Sequence, residues 1–304
     1  MFWPLVGFAA LASAIITNKV ILQHLPLVFF VGFRMLCGGL ILLALTYRSS
    51  SHRLRFAYLK QDFLPLLGAI IFTNFVPALL KAYGLKNLMV SKAAFIGSLD
   101  PFVTALYAYV LLNERLNTRK IIGIGIAFTG ALFLCFSHVG IEQTLPSFLI
   151  FSLPELAAFG HVALSRYGWT LAQVLLKKDR YSPFELLSIT MIGAGVMGLA
   201  TSMAVDSITD IAMPPLWLVG LVAYTVLIGN VIGYTMYASF LKKHSAGLVS
   251  LAGFSIPIFV TFFGWVFLGE TLSTNVIIAA AIMFIGVFIF YQNEVKELLH
   301  VRDH

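Results

Sequence analysis

The sequence predicts an all-α membrane protein in which ten transmembrane helices form two inverted five-helix repeats around a central cavity. Three observations lead there. Of the 304 residues, 60% are hydrophobic and only 11% are charged, whereas an ordinary soluble domain carries about 25% charged residues. Ten apolar stretches are each long enough to cross ~30 Å of hydrocarbon as a helix, which takes about 20 residues. The second half of the chain also repeats the first at a fixed offset.

The first stretch, 2–22, lacks a positively charged leader and is longer than the apolar core of a signal peptide, so it reads as a span. Four more come at 27–46, 63–84, 90–112 and 120–137. The second half supplies 156–176, 184–204, 215–238, 246–268 and 275–292, and the short connections leave no room for a separate soluble domain. Apolar residues surround most spans on all sides without period-2 alternation, which argues against a β-barrel. With a cytoplasmic N-terminus, the inside loops hold Arg48, Arg53, Arg55, Lys60, Arg115, Arg119, Lys120, Lys177, Lys178, Arg180, Lys242 and Lys243. The outside loops hold Glu142, Asp206 and Asp210, with Lys86 and Lys92 as exceptions. This bias puts both termini in the cytoplasm and the protein in a plasma membrane, as in the inner membrane of a bacterium.

The net charge of +7 is spread between apolar runs, with no basic patch interleaved with aromatics. The expected partner is therefore the lipid bilayer and not nucleic acid. Cys37 and Cys135 lie inside apolar runs and the seven histidines show no ligand spacing, so neither a metal nor a cofactor is expected.

The repeat has an offset of 156. Asn74 meets Asn230, Lys86 meets Lys242, Gly97 meets Gly253, Pro101 meets Pro257, Glu114 meets Glu270, and Gly130 meets Gly286. Two units result, 1–140 and 147–304, with five spans each. Because five is odd, the second unit crosses the membrane in the opposite sense, an arrangement that places substrate sites near the midplane between repeats.

Polar side chains facing lipid are costly, so polar positions at helical spacing mark an interior face. In the third span these are Asn74, Pro77, Ala78 and Lys81; in the eighth they are Asn230, Tyr234 and Tyr237, with Gly229 and Gly233 open to close helix approach. In the sixth span Arg166, Thr170 and Gln173 share a face beside Trp169. The candidate substrate contacts are thus Asn74, Lys81, Arg166, Trp169, Asn230, Tyr234 and Tyr237. Packing glue is the rival reading of each asparagine, an internal ion pair that of Arg166, and a satisfied interior histidine that of His161. Arg34 reads as snorkelling or structurally paired.

Asp100 completes the candidate set. It lies about ten residues from either end of the fourth span, where an unpaired carboxylate costs roughly 2.5–3.5 kcal/mol. Its counterpart is Ile256, so the fold does not require a polar group there. A salt bridge to Arg166, Arg34 or Lys81, a cationic part of the substrate, and a coupled proton all account for it. Pro101 and Pro257 each remove a backbone hydrogen bond, and they read as hinges between inward- and outward-facing states. Glu114 and Glu270 read as helix-terminal structural groups.

With these motifs the chain resembles the drug/metabolite transporter superfamily, and within it the ten-span EamA-type transporters. Each half carries a proline, then twelve positions on a short motif, Asn113-Glu114-Arg115-Leu116 or Gly269-Glu270-Thr271-Leu272, then a glycine-bearing last span. Asn113 departs from the family's usual glycine. The resemblance implies a central cavity walled by spans 1, 3, 4, 6, 8 and 9 and a small-molecule metabolite as cargo, often exported. The expected function is secondary transport of a small polar or amphipathic metabolite by alternating access, most simply an amino acid or amino-acid derivative, coupled to a proton or a counter-substrate. A phosphorylated sugar or nucleotide held by Lys81 and Arg166 is the alternative. No G-x-S-x-G, H-E-x-x-H or second central aspartate supports an intramembrane enzyme. A non-transporting scaffold is the remaining class.

Overall fold

The computed structural model describes residues 2–48, 56–112, 118–136, 152–178, 180–206, 214–243, 256–270 and 274–300. Among these residues the protein is all-helical. The first half contains α1 (Phe2–Ile21), α2 (Leu27–Arg48), α3 (Phe56–Gln61), α4 (Phe63–Ala69), a π-helical segment π1 (Ile70–Phe75), α5 (Val76–Asn87), α6 (Val90–Gly97), α7 (Asp100–Leu112) and α8 (Thr118–Phe136). The second contains α9 (Leu153–Lys177), α10 (Pro183–Val205), α11 (Leu216–Tyr224), a second π-helical segment π2 (Thr225–Gly233), α12 (Tyr234–Lys243), α13 (Ile256–Leu268) and α14 (Thr274–His300). Every stretch expected to span contains helix. Leu27–Arg48, Phe63–Asn87, Pro183–Val205 and Leu216–Lys242 are long and apolar enough to cross a membrane by themselves, and Gly7–Ile21, Ile256–Leu268 and Ile277–Phe290 are shorter apolar helices.

Local sequence explains where several helices begin. Ser152 and Ser182 each precede a Pro in the first turn and a Glu at the third position, and both form capping boxes. The Ser152 N–H donates to Glu155 Oε2 at 2.7 Å and the Ser182 N–H to Glu185 Oε2 at 2.6 Å. In π1, Asn74 lies just before Pro77, which has no N–H to close the ordinary bond onto the residue four back. π2 contains the matching Asn230 without a matching proline, since Gly233 stands there.

The fourth span differs from the expected continuous, proline-kinked helix. It is two helices, α6 and α7, joined by a turn at Ser98–Leu99. The Leu99 N–H donates to Ile96 O at 3.1 Å, a tightened bond that ends α6. Pro101 then sits in the first turn of α7, where a missing N–H costs nothing. Pro101 therefore starts a helix instead of bending one. Pro257 is buried in the corresponding first turn of α13.

Glu270 also departs from expectation. Its carboxylate reaches across to α6, accepting from the Val90 N–H at 2.5 Å, the Ser91 N–H at 3.2 Å and the Ser91 hydroxyl at 2.9 Å. It caps a helix of the other half, where the exposed N–H groups and the helix dipole favour a carboxylate. Its counterpart Glu114 lies outside the described residues, together with Gly253 and the rest of both Glu-x-Leu motifs.

Helix pairs meet at small residues. α2 packs on α10 where Gly32 faces Gly198, and a Cβ on Gly198 would lie 2.7 Å from the Gly32 Cα. α8 packs on α14, where a Cβ on Gly123 would lie 2.7 Å from the Gly286 carbonyl. The outer surface carries large apolar side chains such as Leu64, Met203, Leu216, Phe267 and Phe288. Such a surface suits hydrocarbon and not water.

Candidate functional site

Eight of these helical segments surround a cavity of about 140 Å³ in the middle of the bundle. α1 contributes Leu11, Ala14, Ile15 and Asn18; α5 contributes Lys81; α7 contributes Asp100. α9 supplies His161, Ser165, Arg166 and Trp169, while π2 and α12 together supply Gly229, Gly233, Tyr234 and Tyr237. Ile256 of α13 closes the wall. These are the elements of spans 1, 3, 4, 6, 8 and 9. α2 adds Arg34, which sequence reasoning set aside.

The break in the fourth span puts Asp100 at the head of α7, facing α9. Its Oδ1 lies 3.2 Å from Arg166 Nε, and the Asp100 side chain keeps 33% of its surface accessible while that of Arg166 keeps 9%. The carboxylate is thus neutralised on one side and open on the other. The Arg166 guanidinium also donates to the Tyr237 hydroxyl and lies 5.4 Å from the centre of the Tyr237 ring. Trp169 packs edge-on against Tyr237, with ring centroids 4.6 Å apart, and against Tyr234 at 6.0 Å. Trp169, Tyr234 and Tyr237 thus give the cavity that Asp100 enters an aromatic stretch of wall, a surface that attracts onium cations. His161 lines the cavity with Nδ1 3.0 Å from the Pro77 carbonyl, so it is an interior histidine with a backbone partner.

Two expected contacts are not on the wall. Asn74 and Asn230 are both fully buried, and neither lines the cavity. Asn230 accepts from Arg34 Nη1 at 3.1 Å through Oδ1 and points its amide nitrogen at Met35 Sδ, 3.2 Å away. Neither polar atom of the Asn74 side chain has a hydrogen-bond partner among the described residues. Gly229 and Gly233 admit α1, facing Ala14 and Leu11.

Comparison with known proteins agrees with this architecture. The EamA-like transporter family matches residues 1–136 and again 153–292. The S-adenosylmethionine/S-adenosylhomocysteine transporter of Chlamydia muridarum is 30% identical over 94% of this chain and 89% of its own length. The transporter of the same name from Chlamydia trachomatis serovar L2 is 29% identical over 94% and 87%. The uncharacterized transporter YoaV of Bacillus subtilis is 23% identical over 90% of each chain. A crystal structure with 16% sequence identity covers 94% of both chains with a TM-score of 0.70, a likeness of fold alone.

Proposed function

The chain belongs to the EamA-like transporter family, and from that premise we propose that it is a secondary transporter of an S-adenosyl amino acid. It is an integral, multi-pass membrane protein, and its function is transport and not catalysis. The substrate reading is carried by one arrangement: the partly accessible Asp100 carboxylate in the same cavity as the aromatic residues Trp169, Tyr234 and Tyr237. S-adenosylmethionine combines a sulfonium, an α-ammonium, a carboxylate and a flat purine. The aromatic wall suits the sulfonium and the purine, and Asp100 suits either cation. The name of the Chlamydia relatives supports the same class.

Small-molecule sites usually enclose about 300–1,000 Å³. A cavity of about 140 Å³ is too small for an S-adenosyl compound, so the site opens to load. Alternating access of two inverted units, 1–140 and 147–304, provides that opening, with Pro101 and Pro257 at the two helix starts as hinges. The packing supports this reading. α1 lies on α13 and π2 while α9 lies on α7 and π1; α2 meets π2 while α10 meets π1; exchanging the two halves leaves these pairs unchanged. Both termini are cytoplasmic in this scheme, in the inner membrane of a bacterium, and a proton or a counter-substrate drives the cycle.

The cavity holds three cations and one carboxylate, which favours a second reading, a phosphorylated metabolite. Counterflow in proteoliposomes against S-adenosyl compounds, amino acids and phosphorylated sugars separates the two. Exchange of S-adenosylmethionine is the expected result, and exchange of phosphorylated solutes alone defeats the proposal.

A further inference from the structure

The charges on the cavity wall do not balance. Arg166 is neutralised by Asp100. Arg34 is 7% accessible and its Nη1 donates to the neutral Asn230, while its Nε has no hydrogen-bond partner among the described residues. The Phe30 ring, 5.7 Å from its guanidinium carbon, adds no counter-charge. Lys81 enters the same cavity from α5 and forms no ion pair among the described residues.

No other carboxylate is in reserve among the residues whose side chains the structure describes. Asp62 is held by Lys178 and Arg180, and Glu155 by Lys92. Glu185 closes its capping box, Asp206 accepts from the Phe29 N–H and the Ser202 hydroxyl, and Glu270 caps α6. Asp100 is thus the one acidic side chain on the cavity wall among the described residues. Two cations left without an anion inside a membrane bundle are expensive unless a ligand or a water-filled path satisfies them.

We infer that Arg34 and Lys81 form an oxyanion subsite, occupied in an S-adenosyl amino acid by the α-carboxylate. The inference rests on the reading of this cavity as the substrate site and assigns the two ends of the ligand. The anionic end goes to Arg34 and Lys81, and the cationic end to Asp100 and the aromatic wall. Asn230 is a positioning residue. Its amide is oriented by Met35 so that its oxygen holds one arm of the guanidinium, while the buried Nε has no hydrogen-bond partner among the described residues. Because the carboxylate is common to S-adenosylmethionine and S-adenosylhomocysteine, this subsite sets the requirement for an amino-acid moiety and does not distinguish the two.

The test is competition binding on the purified full-length protein with S-adenosylmethionine and with its decarboxylated analogue. Wild type should prefer the carboxylate-bearing compound by roughly ten- to a hundredfold, the scale of a lost charged hydrogen bond. Arg34→Gln and Lys81→Met should each erode that preference while leaving affinity for the decarboxylated analogue within about twofold, and Arg34→Lys should restore part of it. Equal preference in wild type, or variants that keep the full preference, overturns the subsite. If an Arg34→Gln protein loses both ligands together, Lys81→Met decides, and a preference retained there overturns it as well. If wild type binds neither compound, the proposed substrate class falls and the subsite is read on amino acids and phosphorylated sugars. An Arg34-dependent response to either class keeps it, and no response to both ends it.

Discussion

Asn74 and Asn230 occupy matching places in the two halves yet meet different chemistry. Asn230 meets Arg34, whereas the counterpart of Arg34 at the same offset is Thr190, whose hydroxyl donates to the Leu186 carbonyl at 2.9 Å. The two cations of the proposed oxyanion subsite therefore both come from the first half. The importance of Arg34 was hidden in the sequence because it stands a third of the way along an apolar span, where a long side chain snorkels. Only the packing of α2 on π2 turns it inward. Asp100, by contrast, stood out in the sequence as a mid-span carboxylate whose repeat counterpart is Ile256, and the salt bridge to Arg166 was one of its three readings. Three outcomes are expected at this scale. Asp100→Asn should lower S-adenosylmethionine exchange about tenfold or more. Trp169→Leu, which leaves the ion pair intact, should weaken S-adenosylmethionine more than its uncharged-sulfur counterpart, by about threefold to tenfold in competition binding. Asn230→Leu should reproduce the selectivity loss of Arg34→Gln in milder form.

At the scale of elements, the inward face of the third and eighth spans departs from the sequence pattern for a definite reason. A uniform 3.6 residues per turn puts the asparagines on one face with Lys81 or with the two tyrosines, but both spans carry a π-helical segment at the asparagine. The extra residue per turn rotates the helix on its N-terminal side by about 100° relative to the helix on its C-terminal side. Lys81, Tyr234 and Tyr237 come after the segments and reach the cavity; the asparagines lie within them and do not. The break before Asp100 was half legible, since Pro101 announced a lost hydrogen bond but not a separate helix. Glu270 was expected to serve the helix next to it in sequence, and no local pattern could reveal that its target is 180 residues away. Glu270→Ala should lower stability by about 1 kcal/mol, the usual value of a lost cap. Thermal unfolding of the detergent-solubilised protein checks this, and an unchanged midpoint would remove the latch between α6 and the end of α13.

Across the whole molecule, composition and apolar run length were enough to identify a membrane-embedded helical bundle. Contacts at glycines were less legible, because a small residue in an apolar run does not name its neighbour. Gly198→Leu should overfill the contact with Gly32 and cost about 1–3 kcal/mol. Gly125→Leu is the control, since Gly125 is exposed and a Cβ there meets nothing within 4 Å, and its stability should change by less than about 0.5 kcal/mol. The central claim is that the substrate occupies the cavity between α1, α7, α9 and α12. Substrate protection tests it most directly. With Cys37 and Cys135 replaced, a cysteine at Ser165 on the cavity wall is labelled by a small thiol reagent in proteoliposomes. The account predicts that S-adenosylmethionine slows this labelling over the concentration range that saturates its transport. A labelling rate that does not change across that range would contradict it.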